Sequence, residues 1–288
     1  MTDETTERRA TQSEEYNFIA FSGDAAYREV NRSLLARALA LLPASFFQVD
    51  VASGTGLVPQ EVCALCQALG KRATIIGLDP DRFAVESARQ HTQPGPGCRV
   101  EFVQGVAQDM DRLLAGKIPA EGVDYTSIHD ALHEIAGESD KRAVLAAMAR
   151  ILRPGGLLTY NSAFTTIAMD EAPMDWGRLK AKGLAILGGK RDRSKPAFKV
   201  HTPEQYRQMI EEAGLTVIYE GRQVVRLPRE AMHAIGRYPA FVEGAFSDML
   251  GTEQVSLEEK SRAILAAIDA LGINEIPRVW HEIMARKM

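Results

Sequence analysis

Little in this sequence would hold the protein in a membrane or in an oxidising compartment. Its 288 residues include only three cysteines, too few for a disulfide framework. No apolar run approaches the roughly 20 residues that a membrane-spanning helix needs. The segment 1–15 is polar and acidic and lacks the apolar core of a signal peptide, so we expect a disordered tail there. These absences predict a cytoplasmic protein.

An excess of positive charge is also missing. The formal net charge is −4, whereas nucleic acids and anionic membranes attract basic surfaces. We therefore expect neither of them as a partner. The length of 288 residues and the hydrophobic fraction of 45% suit one large α/β domain or a domain with a cap.

The sequence has one C-x-x-C, formed by Cys63 and Cys66. The pair lies inside a predicted helix and not at its N-terminus, where a thiolate would be stabilised. No second C-x-x-C is present to complete a zinc site. The spacing of three residues instead predicts two small residues on the buried face of the helix.

The most informative stretch runs from Phe47 to Gly56. An apolar strand pattern ends in Asp50 and a loop of small residues, and a helical pattern follows over Leu57–Leu69. Small residues let the backbone approach a cofactor closely. A second apolar strand pattern ends in Asp79, whose two oxygens suit the two hydroxyls of a ribose. The two strands together predict a site for a nucleotide-like cofactor.

Strand and helix patterns alternate along most of the chain, which predicts an α/β fold with a parallel sheet and right-handed crossovers. Two further strands with a short connection predict an antiparallel hairpin at one sheet edge. The predicted strands are Phe47–Ala52, Thr74–Asp79, Arg99–Val103, Val123–His129, Gly156–Ser162 and the hairpin strands Thr216–Glu220 and Gln223–Leu227. The predicted helices are Tyr16–Leu42, Pro59–Leu69, Arg82–Gln90, Lys141–Leu152 and Pro203–Ala213.

Three segments fall outside this alternation. The pattern predicts an N-terminal helical lid over 16–42, a core over 43–228 with a cap insertion at 163–200, and a C-terminal helical extension over 229–288. The insertion leaves the carboxyl edge of the sheet, where open α/β sheets bind ligands, so we expect it to cover the active site. Covering the sheet edge or making a dimer contact is the alternative.

Six motifs in this order resemble those of the class I S-adenosylmethionine-dependent methyltransferases. Asp50–Gly56 resembles the family's acid-x-Gly-x-Gly-x-Gly loop, with Ala52 in place of the first glycine, which is tolerated if φ there is negative. The other motifs are Gly77–Asp81 after strand 2, Val103–Asp109 after strand 3, Asp124–Glu134 along strand 4, Leu152–Leu158 at the turn into strand 5 and Thr202–Leu215 before the closing strands.

This resemblance implies a Rossmann-like, mostly parallel seven-stranded sheet flanked by helices, with helical cap segments. It also implies transfer of a methyl group from S-adenosyl-L-methionine to a small, apolar or aromatic acceptor through O-, N- or C-methylation. We expect Asp50 to orient the methionine end of the cofactor, unless it only caps the following helix. Gly54 and Gly56 give the cofactor room. The remaining cofactor residues that the resemblance implies are Ala52, Ser53, Thr55, Asp79, Pro80, Val106, Ala107, Gln108 and His129.

A hydroxyl or amine acceptor must lose a proton, and His129 and His133 are the candidates for the base. Their spacing of four would place both on one face of a helical turn. A purely structural role is the alternative. A metal pair is another, but it lacks a third ligand, so we expect no metal.

Aromatic and apolar residues of the lid, strand 5 and the cap predict the acceptor pocket, with buried packing as the alternative. The residues concerned are Tyr16, Phe21, Tyr160, Met169 and Trp176.

Other functions fit the sequence less well. A nucleic-acid methyltransferase would carry an Asn/Asp-Pro-Pro-aromatic motif, which is missing. An NAD(P)-dependent oxidoreductase would want G-x-G-x-x-G, but Leu57 and Val58 follow Gly56 and leave no glycine for close helix packing. A non-catalytic nucleotide-binding regulator remains open, as does a homodimer.

Overall fold

The computed structural model describes residues 11–163, 173–195 and 201–288. The chain forms two compact units. The sheet unit comprises Arg28–Ala163, His201–Gln223 and Trp280–Met288, and the helical unit comprises Met1–Tyr27, Phe164–Val200 and Val224–Val279. Residues 1–10 of the predicted tail, and 164–172 and 196–200 of the predicted cap, lie outside the described residues.

Seven strands of the described residues form one sheet in the order β3-β2-β1-β4-β5-β7-β6. The first five strands are parallel, and β7 runs antiparallel to β5. This confirms the predicted seven-stranded, mostly parallel architecture. The strands are β1 Ser45–Val51, β2 Arg72–Asp79, β3 Cys98–Gln104, β4 Val123–His129, β5 Leu152–Ser162, β6 Leu215–Pro228 and β7 Glu275–Lys287.

The apolar residues of the central strands are buried, as expected where both faces of a parallel sheet are covered. Val49, Ile75 and Ile128 have no exposed surface. Cys63 and Cys66 are buried on the helix after β1 and belong to the cluster of apolar side chains there, which confirms the packing prediction.

Helices connect the strands and extend beyond them, as the sequence predicts. They are α1 Ile19–Ser22, α2 Ala25–Leu41, α3 Leu57–Leu69, α4 Arg82–His91, α5 Met110–Leu113, α6 Glu138–Ile151, α7 Pro173–Ile186, α8 Pro203–Glu212, α9 Arg229–Ile235, α10 Pro239–Ala245 and α11 Leu257–Ala270. None of the helices in the described part of the chain is long and apolar enough to cross a membrane.

Local capping explains several helix ends. Asp81 accepts a hydrogen bond from the Ala84 amide and starts α4, while Thr202 and Gln205 form a capping box at α8. At a helix C-terminus, the end of α2, Lys71 Nζ donates to the carbonyls of Leu39 and Leu42. Cations stabilise helix C-termini because the last carbonyls have no partner within the helix.

The predicted hairpin between 216–220 and 223–227 is wrong. Both segments lie in the single strand β6, and Gly221 lacks the positive φ that a two-residue hairpin turn requires. The partner of β6 is β7, so the extension predicted as helical over 229–288 ends in a strand. Charged and polar residues such as Arg278, His281 and Glu282 interrupt the apolar pattern of β7, although all three are buried.

The helical unit has its own aromatic cluster. The Phe21 ring packs 4.7 Å from Tyr27, and the Phe18 ring lies 4.8 Å from Tyr238, measured between ring centroids. In the same unit the buried Asp248 carboxylate binds Lys180 at 2.8 Å and Arg191 at 2.7 Å. These contacts stabilise the unit from within.

Candidate active site at the carboxyl ends of the parallel strands

The strand order places the site. From β1 the chain moves outward to β2 and β3, and then returns to β4 on the other side of β1. Such a reversal leaves a crevice outside the carboxyl ends of the strands, where open α/β sheets bind ligands. Asp50 lies near the end of β1, and Asp79 and His129 are the last residues of β2 and β4.

The loop after β1 has an unusual backbone. Ala52 has φ +54°, so the condition of a negative φ, under which alanine would be tolerated in place of glycine, is not met. The left-handed conformation costs a non-glycine residue about 1–2 kcal/mol. The Ser53 amide donates to the Leu78 carbonyl at 3.0 Å and ties the loop to β2. This tie holds the loop, and with it Ala52, against the neighbouring strand.

The two glycines of the loop do different things. Gly54 has φ +54°, and a Cβ added there would meet none of the described residues within 4 Å. At Gly56, with φ +90°, an added Cβ would come within 2.6 Å of Thr92 Oγ1. Gly54 therefore opens to free space that a cofactor could fill. The expectation that Gly56 also gives a cofactor room is wrong, because Gly56 is needed for its backbone conformation and for internal packing.

Asp79 fastens the loop to the end of β2. Its Oδ2 accepts the Gly54 amide at 2.9 Å, and its Oδ1 accepts the Asp81 amide at 2.8 Å. The side chain is fully buried, and these two hydrogen bonds organise the loop at the end of β2.

Asp50 is buried beside this loop with one oxygen unsatisfied. Ser127 Oγ donates to Oδ1 at 2.6 Å, whereas the buried Oδ2 has no hydrogen-bond partner among the described residues. Burial, and the nearby charge of Asp79, raise the pKa of Asp50 to about 8. The capping alternative fails, because Gly56 occupies the N-cap of α3 and no described side chain caps that helix. A ligand cation at Oδ2 would supply the missing donor.

The segment expected beside an adenine follows β3. The Gly105 amide donates to the Asp79 carbonyl at 3.0 Å and fixes this segment to the end of β2. A single 3-10 turn then spans Ala107–Asp109, preceded by Val106 at 45% exposure. Gln108 lies inside this turn, and Pro80 accepts a hydrogen bond from Gln104 at 3.5 Å. The segment is thus present at the expected edge, with the apolar Val106 side chain exposed beside the turn.

His129 sits in a closed network of buried polar groups. Its Nδ1 lies 2.9 Å from Asn31 Oδ1, and its Nε2 lies 2.8 Å from Thr159 Oγ1. Asn161 Nδ2 also donates to Asn31 Oδ1, at 3.1 Å, and Tyr125 Oη lies 2.6 Å from Thr159 Oγ1.

With a neutral imidazole, only one proton arrangement satisfies this network. The Asp130 amide donates to Asn161 Oδ1 at 2.9 Å, so the other end of that amide must be its NH₂. Asn31 then presents its oxygen to both neighbours, and His129 Nδ1 must carry the proton. The Nε2 lone pair in turn accepts the Thr159 hydroxyl. Burial also lowers the pKa of His129 to about 3, which argues against the base role predicted for His129.

His133 lies in a different setting. The chain turns at Asp130, with φ +48°, and residues Leu132–Glu134 form a 3-10 turn. The helical turn predicted to align His129 and His133 is therefore wrong, and so is the metal pair that depended on it. His133 Nδ1 lies 3.3 Å from Ser162 Oγ, and Nε2 lies 4.0 Å from Glu134 Oε1.

Two residues predicted to line the acceptor pocket are packing residues. Tyr160 is fully buried, with its ring 5.0 Å from that of Tyr206, and burial raises its pKa well above the ordinary value. Phe21 is buried in the aromatic cluster of the helical unit. Neither ring has exposed surface for an acceptor, so this burial argues against both pocket assignments, which stay predictions.

The pocket roles of the other three residues stay predictions, and the structure gives the surroundings of two of them. Trp176 donates from Nε1 to the Pro277 carbonyl at 3.2 Å, and the Arg278 guanidinium lies 4.3 Å from its ring centre. Tyr16 is partly exposed, and burial together with Glu15 raises its pKa. Met169 lies outside the described residues.

Sequence reasoning missed the polar residues that organise this site. Ser127 holds Asp50, while Asn31 and Thr159 hold His129. A signal exists in the strands, because Tyr125, Ser127 and His129 alternate along β4 and so share one face. Asn31 gives no such signal, since it comes from a helix 98 residues away in sequence.

Comparison with known proteins agrees with this geometry. Residues 49–156 match a family model described as a methyltransferase domain. This range contains the loop, Asp50, Asp79 and the whole of β4. No curated protein sequence is significantly similar to the chain.

Solved structures share the fold at low identity. The N-methyltransferase NodS from Bradyrhizobium japonicum, in complex with S-adenosyl-L-homocysteine, has TM-score 0.51 and 14% identity, covering 92% of this chain and 89% of that one. A SAM-dependent methyltransferase from Methanosarcina mazei has TM-score 0.51 and 12% identity, covering 87% and 96%. The [4+2]-cyclase SpnF has TM-score 0.52 and 15% identity, covering 96% and 89%.

At these identities the solved structures establish the fold alone. The family model identifies the type of domain over the range that contains Asp50, the loop after β1 and Asp79. Residues 49–156 match a methyltransferase domain, so the resemblance of this part of the chain to the class I S-adenosylmethionine-dependent methyltransferases is confirmed.

Proposed function

We propose that the chain binds S-adenosyl-L-methionine in the cradle formed by the Ala52–Gly56 loop, Asp50 and Asp79, and transfers its methyl group to a small apolar or aromatic acceptor. The observation that carries this proposal is the buried Asp50 Oδ2, which lacks a partner among the described residues beside the open space at Gly54. A buried carboxyl group with an oxygen that lacks a partner is unfavourable, and a ligand cation there would stabilise its ionised form.

Each part of the cradle suits one part of the cofactor. The amino group of the methionine end would supply the donor for Asp50, and the ribose hydroxyls would bind Asp79. The adenine would lie against Val106, Ala107 and Gln108, where an exposed apolar side chain offers a surface for the ring. The cofactor itself supplies an electrophilic methyl group on a sulfonium.

This chain's residues would then act by alignment more than by proton transfer. An in-line displacement at a methyl group needs the acceptor held close to the reacting carbon and water kept out. His129 is disfavoured as a base, because burial lowers its pKa to about 3 and its Nε2 is held against the Thr159 hydroxyl. His133 remains the candidate base for a neutral hydroxyl or amine. An acceptor that is already ionised would need none.

The acceptor has to be found by experiment, since a cyclase shares the fold. Purified protein would be given S-adenosylmethionine with a methyl label and a panel of phenols, amines and carboxylic acids, and labelled products would be followed by mass spectrometry. We expect labelled product from at least one small acceptor. The absence of any labelled product, with the cofactor demonstrably bound, would favour a non-catalytic regulator or a different reaction.

Matched glycine variants separate the cradle from general stability. Gly54→Val should abolish cofactor binding, because its side chain would fill the open space. Gly70→Val is the control: Gly70 has φ +64°, also has none of the described residues within 4 Å of an added Cβ, and caps the far end of α3. Both variants carry similar backbone strain, so equal loss of binding would contradict the proposed cradle.

A cytoplasmic location is part of the same proposal. The acidic net charge of −4 argues against nucleic acid as the acceptor. We also infer that NAD(P) does not occupy the cradle, because Leu57 and Val58 fill the helix start where a dinucleotide loop would have glycine. A parallel titration with NAD(P) tests this.

A further inference from the structure

The strand β6 is an open edge of the sheet. It is 14 residues long, and in the part of the chain that the structure describes its only neighbour in the sheet is β7. The backbone N–H and C=O groups on its outer side are therefore available to another strand. Natural proteins usually protect such an edge with proline, lysine or a short strand. Between Ile218 and Arg226, β6 has neither proline nor lysine.

The sequence of β6 is complementary to itself. In an antiparallel pairing of two copies centred on Gly221, Glu220 lies opposite Arg222 of the second copy, and Ile218 lies opposite Val224 of the second copy. The two-fold axis repeats each pair, so the interface contains two ion pairs and two apolar pairs. Directly opposite side chains share a face of the sheet and interact.

The exposure of these residues agrees with the pairing. Ile218 is 40% exposed and Val224 is 53% exposed, which is unusual for large apolar side chains. Arg222 is exposed and makes no ion pair with any residue that the structure describes. Glu220 already binds Arg207 at 2.8 Å and His281 at 2.9 Å, which holds its carboxylate in place.

We propose that β6 is the dimer interface, at which a second copy of this chain adds its own β6 antiparallel across a two-fold axis at Gly221. Glycine at the crossing leaves no side chain between the two backbones. The contact is isologous, so it closes as a dimer and does not extend into a fibre. The proposal is independent of which acceptor is methylated.

Charge reversal tests the register. Sedimentation velocity of the full chain, from micromolar to submillimolar concentration, should show a monomer–dimer equilibrium. Arg222→Glu should shift it to monomer, because the introduced carboxylate would then face Glu220 of the second copy. Glu220→Arg should do the same. Arg99→Glu, an exposed arginine on the opposite edge strand β3, is the control and should leave the equilibrium unchanged.

Mixing the two variants gives the decisive result. One copy with glutamate at both positions and one with arginine at both positions regain both ion pairs, so an equimolar mixture should form a heterodimer. Thermal melts establish that each variant is folded, and Arg222→Glu suffices alone if Glu220→Arg fails to fold. A monomeric wild type at all concentrations overturns the proposal. So does a dimer that persists in Arg222→Glu, or a mixture of folded variants that stays monomeric.

Discussion

Asp50→Asn should make the ligand-free protein more stable at alkaline pH while weakening its binding of the cofactor. Asparagine has nearly the same shape, and its oxygen can accept the Ser127 hydroxyl as Asp50 Oδ1 does. The substitution removes the ability to carry a negative charge in a fully buried position and puts an amide NH₂ in place of Oδ2. Only the loss of charge depends on pH, so the pH dependence of the effect isolates the electrostatic part of what Asp50 does.

The magnitude follows from the shifted titration. The pKa of Asp50 rises from 3.8 to about 8 on folding, so the native chain holds a proton that the unfolded chain has released. The stability that this proton contributes is complete below about pH 4 and is lost as pH rises to about 8. Each pH unit in this window costs at most about 1.4 kcal/mol. The ceiling for the stabilisation of Asp50→Asn at pH 8 is therefore about 5 kcal/mol.

Urea unfolding of the ligand-free protein at several pH values measures this effect. The difference in unfolding free energy between Asp50→Asn and wild type should grow with pH between about pH 5 and pH 8. Calorimetry of the wild type in buffers of different ionisation enthalpy should show a proton released when S-adenosylhomocysteine binds, because its amino group stabilises the ionised carboxylate. A stability difference that does not change with pH, or binding without proton release, would refute the electrostatic account of Asp50.

Three further predictions follow from single residues. Ala52→Gly should raise the unfolding free energy by up to about 1 kcal/mol in a urea titration, since glycine relieves the left-handed strain but loses more chain entropy. The control Ala38→Gly, inside α2, should lower the unfolding free energy, and a loss of stability in both variants would contradict the strain at Ala52. The imidazole of His129, whose pKa is lowered to about 3, should show no titration above about pH 5 by NMR. Its contribution to stability should decrease as pH falls below about 6.5, because only the unfolded chain takes up the proton there. A titration midpoint near neutrality would contradict the closed network. Lys71→Met should destabilise the protein by about 1–2 kcal/mol, because it removes the cap from α2. Lys117→Met loses only an exposed ion pair with Glu101 and should change stability by less than about 0.5 kcal/mol. Equal effects of the two substitutions would contradict the capping role.

Much of the fold is readable in the sequence because its signals are local. β1 and β2 are mostly apolar, and an acid at or near the end of each marks the carboxyl edge of the sheet. The strand β7 was not predicted, because it lies far along the chain and its buried residues His281 and Glu282 are of types usually found on the surface. Gly221 was misleading for a related reason. A glycine between two short β-patterns indicates a turn, but here the strand continues through it.

The candidate site, like the fold, was predictable only where its signals are local in the sequence. Asp50, Asp79 and the loop between β1 and α3 follow from strand ends and small residues. The state of His129 does not, because it depends on Asn31, Thr159 and Asn161, three residues that only the folded chain brings together. A histidine at a strand end has the same sequence signature whether it is a base or a buried hydrogen-bond partner. The packing of Tyr160 against Tyr206 is hidden in the same way.

The central claim is that the cradle at the ends of β1 and β2 binds the methyl donor, and calorimetric titration with S-adenosylhomocysteine tests it most directly. We expect one ligand per chain and affinity that falls by about 10- to 100-fold in Asp79→Ala, because a carboxylate that accepts ribose hydroxyls and holds the Gly54 amide contributes about 1.5–3 kcal/mol. NAD(P) under the same conditions should give no binding heat. A folded wild-type protein that takes up no S-adenosylhomocysteine at millimolar concentration would contradict the account.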